Sequence, residues 1–137
     1  MNNRSILRFN RYIVKEIVFN SNTSYDKNGR LMLDYTFDSN TKTNSEKNKM
    51  QIELSAHIFK DAERNNFPFE MRVCLVGDFE LETEQENIID FEANAIAILF
   101  PYLRALVSTY TANVNINPVI LPAMNINAFL KNKQENR

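Results

Sequence analysis

Along this chain the spacing of hydrophobic positions changes from two to nearly four. Met50, Ile52, Leu54, Ala56 and Ile58 alternate with Gln51, Glu53, Ser55 and His57, the pattern of a half-buried strand. Phe67, Phe69, Met71, Val73, Leu75, Phe79 and Leu81 repeat it, with Glu70, Arg72, Asp78, Glu80 and Glu82 opposite and Cys74 and Val76 among them. Leu31, Leu33, Tyr35 and Phe37 predict a third strand with these residues on one face. Between Ile6 and Phe19 apolar residues fall on both parities: Phe9, Ile13, Ile17 and Phe19 on one, Tyr12, Val14 and Val18 on the other. That predicts a long strand with two partly buried faces. The polar stretches Asn20–Gly29 and Ser39–Asn48 read as a turn region and a flexible loop, and Asn65-Asn66 as a turn.

The last third follows helical spacing. Ile96, Leu99, Phe100, Leu103, Leu106, Val107 and Tyr110 form a stripe, preceded by the acidic approach Glu84–Glu92 that suits a helix N-terminus. Pro101 interrupts the stripe, so the main helix is expected from about Tyr102 to Thr111, with a break or kink at the proline. Pro118 and Pro122 exclude long regular structure in the next stretch, and a short helix over Asn125–Lys131, capped by Asn125, follows. The expected fold is α+β: a four-stranded antiparallel sheet covered by a long helix, an apolar proline-containing loop and a short C-terminal helix. The 137 residues read as a single domain, ordered from about 6 to 131, with a disordered tail from 132 to 137.

Composition narrows the functional classes. Sixteen basic residues against seventeen acidic ones leave no cationic excess for phosphate neutralisation, so nucleic acid is not an expected partner. Cys74 is the only cysteine, which excludes an internal disulfide and a cysteine-cluster metal site. Gly29 and Gly77 are the only glycines, too few for a glycine-rich phosphate loop. No signal peptide is readable and no apolar run is long enough to span a membrane, so a cytoplasmic protein is expected.

Candidate chemistry is thin. His57 shares a strand face with Ser55, yet no third group completes a catalytic set, and a surface histidine is the simpler reading. Cys74, between Val73 and Leu75, reads as a packing residue rather than a nucleophile. No metal-ligand spacing is present, and no cofactor is expected. Asp78, Glu80 and Glu82 lie on one face of the last strand without an enclosing pocket, which fits a solvated sheet face or a docking surface for a basic partner. The apolar excess is harder to place in one thin core. Leu33, Tyr35 and Phe37, Phe100 and Tyr102, Ile120 and Leu121, and Phe129 are expected to supply, as a set, a subunit interface or an apolar groove.

Two segments point to a family. AILFPYLRALVSTYT (Ala97–Thr111), followed by PVILPAMNINAFL (Pro118–Leu130), resembles the C-terminal half of SecB export chaperones, and RYIVKEIVFN (Arg11–Asn20) resembles their first strand. The likeness spans roughly Phe9 to Leu130.

The resemblance implies a non-enzymatic, ATP-independent chaperone that forms a homotetramer as a dimer of dimers. Unfolded or nascent apolar polypeptide would lie in grooves lined by Leu33, Tyr35, Phe37, Phe100, Ile120, Leu121 and Phe129. The long helix would carry the tetramer contact through Leu103, Leu106, Val107 and Tyr110. In the export role an acidic outer face, here Glu16, Asp78, Glu80 and Glu82, would dock the SecA motor. This chain departs from that pattern at Asn20, at Arg72 and in its short tail, so an antitoxin of a toxin-antitoxin system is the alternative partner. Two further classes stand beside the chaperone: a structural oligomer that consumes its apolar surface in assembly, and a small-ligand enzyme using the groove.

Overall fold

The computed structural model of the protein describes residues 6–27, 29–82, 86–114 and 117–135. Strands β1 (Leu7–Ser21), β2 (Tyr35–Thr43), β3 (Lys49–Ile58) and β4 (Phe69–Leu81) form one antiparallel sheet in the order β1-β4-β3-β2. A one-turn helix α1 (Ala62–Asn65) joins β3 to β4. A 3-10 turn (Ile88–Phe91) then leads into α2 (Glu92–Val114), and α3 (Ile126–Glu135) closes the chain. The fold is α+β, as the change of hydrophobic period implies.

The central strands carry the core. Met50, Ile52, Leu54, Ala56 and Ile58 of β3 and Phe69, Met71, Val73, Leu75, Phe79 and Leu81 of β4 are buried on the inner face. Ile96, Leu99, Leu103 and Val107 of α2 pack on them at successive helical turns and have no exposed surface. Gly77 opens the space for that contact: a Cβ there would stand 3.2 Å from the Leu99 methyl carbons.

The mixed parity of β1 has a specific cause. Against β4, Phe9 pairs with Phe79 but Arg11 with Asp78, and Val14 pairs with Leu75 but Glu16 with Cys74. Asn10 and Lys15 are therefore β-bulges, each adding one residue and reversing the side on which the following residues point. Phe9, then Tyr12 and Val14, then Ile17 and Phe19 all reach the inner face, although their numbers change parity twice. Ile13 and Val18 fall on the outer face.

Three boundaries differ from the sequence expectation. The helix is continuous through Pro101, which lies on the exposed side; the Ala97 carbonyl deprived of its donor is on that side too, where solvent can satisfy it. Strand β2 spans Tyr35–Thr43, so Ser39–Thr43 is sheet rather than loop, paired with Met50–Leu54 of β3. Helix α3 continues past Lys131 to Glu135, so most of the expected tail is helical. The expected cap holds: Asn125 Oδ1 accepts from the Ala128 amide at 3.1 Å.

Candidate functional site

The segment after α2 is held by backbone ties rather than by regular structure. Thr111 Oγ1 accepts from the Val119 amide at 2.7 Å and donates to the Val107 carbonyl at 2.7 Å. Ser108 Oγ donates to the Val119 carbonyl at 2.9 Å. Both polar groups of Val119 are thus bound to α2, and the extended chain turns alternate side chains in and out. Val119 and Leu121 enter the core, while Ile120 between them is 64% exposed.

Facing Ile120 is a second apolar segment outside the sheet. Leu31, Met32 and Leu33 precede β2, and Met32 is 77% exposed. With Phe59, Pro68, Phe69, Asn117, Pro118, Val119 and Ile120, Leu31 and Leu33 line an open cleft of about 300 Å³. Its floor is aromatic: Phe59 lies 4.8 Å from Phe67 and 5.1 Å, edge-on, from Phe69. Phe59 holds a left-handed backbone (φ 54°), rare for a bulky side chain, and its amide donates to the Asp34 carbonyl at 2.9 Å. That bond ties the Leu31–Asp34 segment to the end of β3.

Beyond Leu33, β2 carries two aromatic side chains on its inner face. Tyr35 and Phe37 are half-buried with ring centroids 5.3 Å apart, and Phe37 meets Phe100 edge to face at 5.4 Å. Phe129 packs against the same core from α3 and is half-buried. The structure therefore gathers Leu33, Tyr35, Phe37, Phe100 and Ile120 along one side of the inner face. Leu121 and Phe100 are the corrections. Leu121 is fully buried beneath the loop and anchors it, and Phe100 is buried in the core under Phe37 because it continues the inward face of α2, so neither offers a ligand an open surface. Sequence reasoning missed Met32, Phe59 and Pro68; the run Leu31-Met32-Leu33, which breaks strict alternation, was the available signal.

The helix residues expected at a subunit contact divide. Leu103 and Val107 are fully buried against this chain's own sheet, because they continue the stripe begun by Ile96 and Leu99. Leu106 and Tyr110 are half-buried, and beside them Tyr102 is exposed. Tyr102 meets Tyr12 at 4.7 Å and Phe9 at 5.7 Å, and Tyr110 meets Phe19 at 5.8 Å, all with tilted rings. Between these two aromatic contacts Val14 is 44% exposed, leaving an uncovered apolar strip between β1 and α2.

The acidic face is also changed by the fold. Glu16, Asp78, Glu80 and Glu82 do share the outer face, but each stands against a cation. Arg8 reaches both Glu80 and Glu82, Arg11 Nε binds Asp78 Oδ2 at 2.9 Å, and Arg72 Nε lies 3.8 Å from Glu16. Lys15 binds Glu53 at 2.7 Å on the same face. The hydrogen bond from Arg11 holds the Asp78 carboxyl below its ordinary range. The result is an alternating, compensated surface rather than an acidic one.

His57 Nε2 lies 2.8 Å from Glu70 Oε2, while Glu70 Oε1 accepts from the Asp61 amide at 2.9 Å. Glu70 therefore caps the turn at α1, and the histidine hydrogen bond keeps its carboxyl below the usual range. Burial pushes the Cys74 thiol up, which disfavours a thiolate. Among the described residues no group of His, Cys, Asp and Glu is arranged to hold a metal ion. The 3-10 turn and α2 together are apolar and long enough to cross a membrane, but the Leu99, Leu103 and Val107 stripe is core.

This architecture recurs in known proteins. The fold is similar to that of the Mycobacterium tuberculosis Rv1957 SecB-like chaperone, solved with a ChAD peptide from the Rv1956 HigA1 antitoxin. The TM-score is 0.64 at 14% identity, covering 86% of this chain and 90% of that one. A Streptococcus agalactiae protein of unknown function superposes with a TM-score of 0.50 at 13% identity, over 88% of this chain and 99% of that one. In sequence, the uncharacterized protein MJ0357 of Methanocaldococcus jannaschii is 40% identical over 134 residues, 94% of this chain and 85% of the relative. The family described as SecB, preprotein translocase subunit SecB, matches residues 2–137. A match over that span, with a sheet, long helix and pinned apolar loop of the expected kind, makes this chain a member of the SecB family.

Proposed function

We propose that the protein is an ATP-independent holdase that binds non-native polypeptide through apolar side chains and does no covalent chemistry. The observation that carries this reading is the open cleft between Leu31–Leu33 and Pro118–Ile120, with the half-buried Tyr35 and Phe37 following Leu33 on β2. Such a lining offers apolar contact area and aromatic faces but few fixed polar groups. It therefore selects for exposed hydrophobic segments rather than for one sequence, at about 25 cal/mol per Å² of apolar area buried. The test is capture. A slow-folding protein, unfolded in denaturant and diluted with the purified chain without nucleotide, should refold more slowly and aggregate less. The native client should be ignored.

The assembly proposed is a homotetramer, a dimer of dimers. The uncovered strip of Tyr12, Val14 and Tyr102, with the unpaired edge of β1, supports self-association; the buried stripe of α2 does not contribute to it. Sedimentation of the purified chain tests the subunit number.

The partner reading that fits the outer face is a dedicated client, an antitoxin-like polypeptide, rather than delivery to SecA. A face whose carboxylates are each matched to arginine or lysine gives a basic partner little net attraction. The fold shared with Rv1957, itself solved with an antitoxin peptide, supports the same reading. Titrating the protein with SecA and with an antitoxin polypeptide separates the two partners.

A further inference from the structure

The segment before β2 is a ridge with a cleft on each side. Leu31 and Leu33 line the apolar cleft shared with Ile120. On the other side Leu31 and Met32 border a second open cleft of about 380 Å³, whose walls include Tyr25, Arg30, Asn66 and Phe67. Among the described residues nothing hydrogen-bonds to Leu31, Met32 or Leu33, and the nearest backbone tie runs from the Phe59 amide to the Asp34 carbonyl. An extended chain leaving the apolar cleft over Leu31 therefore crosses Met32. At 77% exposure, Met32 is the most exposed large hydrophobic residue described.

That exposure singles out one sulfur. Of the other methionines among the described residues, Met50 and Met71 are buried in the core and Met124 is half-buried against it. Cys74 is also buried, and burial pushes its thiol up, away from the thiolate that oxidants attack. A thioether does not titrate, so access alone separates Met32 from the rest.

We propose that Met32 is an oxidation site at which a hydroperoxide switches polypeptide capture down. This inference rests on the polypeptide-binding reading above and adds its regulation. The sulfur lone pair attacks the outer peroxide oxygen, and the O–O bond breaks as the S–O bond forms. The hydroxide or alkoxide released takes up the hydroxyl proton and leaves as water or alcohol. Sulfur thus loses two electrons and the peroxide gains them. The product is a polar sulfoxide on the crest of an apolar ridge. A client crossing the ridge must then desolvate that dipole, and its apolar side chains offer no donor in return.

The test treats the folded protein with hydrogen peroxide and follows each sulfur by peptide mass spectrometry. Met32 sulfoxide should form at least about tenfold faster than any oxidation at Met50, Met71 or Cys74. At full conversion of Met32 the affinity for an unfolded client should fall by about three- to tenfold. Methionine sulfoxide reductases acting on both epimers should restore it. Each variant is compared with itself before and after peroxide: capture by Met32→Leu and by Met32→Gln should not change. Without peroxide, Met32→Gln should capture more weakly than Met32→Leu. Oxidation of Met32 no faster than of Met50 or Met71 overturns the site. Full conversion with unchanged capture, or an equal loss in Met32→Leu, overturns the switch. If the untreated parent captures no client, the binding reading fails and the switch with it, while the mass measurement still decides the oxidation site.

Discussion

Gly77 lies directly beneath Leu99: a Cβ at position 77 would stand 3.2 Å from both Leu99 methyl carbons and 3.0 Å from the Phe79 ring. The helix therefore rests on β4 at a distance that crowds any side chain at position 77, which must push Leu99 or the Phe79 ring aside by a few tenths of an ångström. Gly77→Ala should destabilise the protein by about 1–3 kcal/mol, the usual result of overpacking. Equilibrium denaturation with an unchanged m-value checks it; a loss below a few tenths of a kcal/mol means the helix can ride higher.

The neighbouring residues Ile120 and Leu121 should behave oppositely. Leu121→Ala opens a cavity under the loop and should cost about 2–5 kcal/mol. Ile120→Glu, at an exposed position, should leave the melting temperature nearly unchanged while weakening client capture, and Tyr35→Glu should weaken capture too. Intact capture by both glutamate variants would move the client site elsewhere.

Thr111 is the tie between helix and loop, with its hydroxyl serving both Val107 and the Val119 amide. Thr111→Val keeps the shape but leaves the buried Val119 N–H without its acceptor. The expected loss is about 1–3 kcal/mol, together with faster hydrogen exchange at Val119. Exchange as slow as in the parent would show that another acceptor takes over.

Acid should loosen the turn between β3 and β4. Glu70 has a folded pKa below its unfolded value, mainly through the His57 hydrogen bond. Its contribution to stability is present above about pH 4.3, the ordinary glutamate value, and is lost as pH falls through the lowered folded pKa. The parent should therefore lose stability more steeply below pH 5 than Glu70→Gln does, by urea unfolding at fixed ionic strength. Parallel curves would mean that Glu70 carries none of the acid response.

The sheet was legible because β3 and β4 are buried on one face only, and strict alternation is the consequence. Strand β1 hid its pattern because bulges at Asn10 and Lys15 reverse the facing twice; two breaks in parity about five residues apart were the trace. Strand β2 was placed too early because Ser39 and Thr41 point inward without being apolar, so the hydrophobic pattern ends at Phe37 while the hydrogen-bonded ladder continues to Thr43. Pro101 misled for a related reason: the Ala97 carbonyl it orphans is on the solvent side, so the lost hydrogen bond costs less than the burial of the apolar stripe on either side of it gains.

At the proposed site, the residue types were readable and their depth was not. Ile120 and Leu121 are chemically alike and adjacent, and only the two bonds that α2 makes to Val119 decide which one faces out. The outer carboxylates were likewise read correctly as sharing a face, but their cations come from β1 and from Arg72 on β4 itself, where cross-strand register decides the match.

The two bulges of β1 limit what can pair with the sheet's open margin. Apart from its bulges, the strand offers only Arg11–Val14 and Glu16–Ser21 as uninterrupted stretches beyond the first. A flat strand pairing with that margin would lose register after a few residues, too few to nucleate a growing stack. A strand with bulges at the same places, such as β1 of a second copy, would be free of that mismatch. The irregularity thus acts as a password at the sheet's open margin, admitting a matching edge and turning away a flat one.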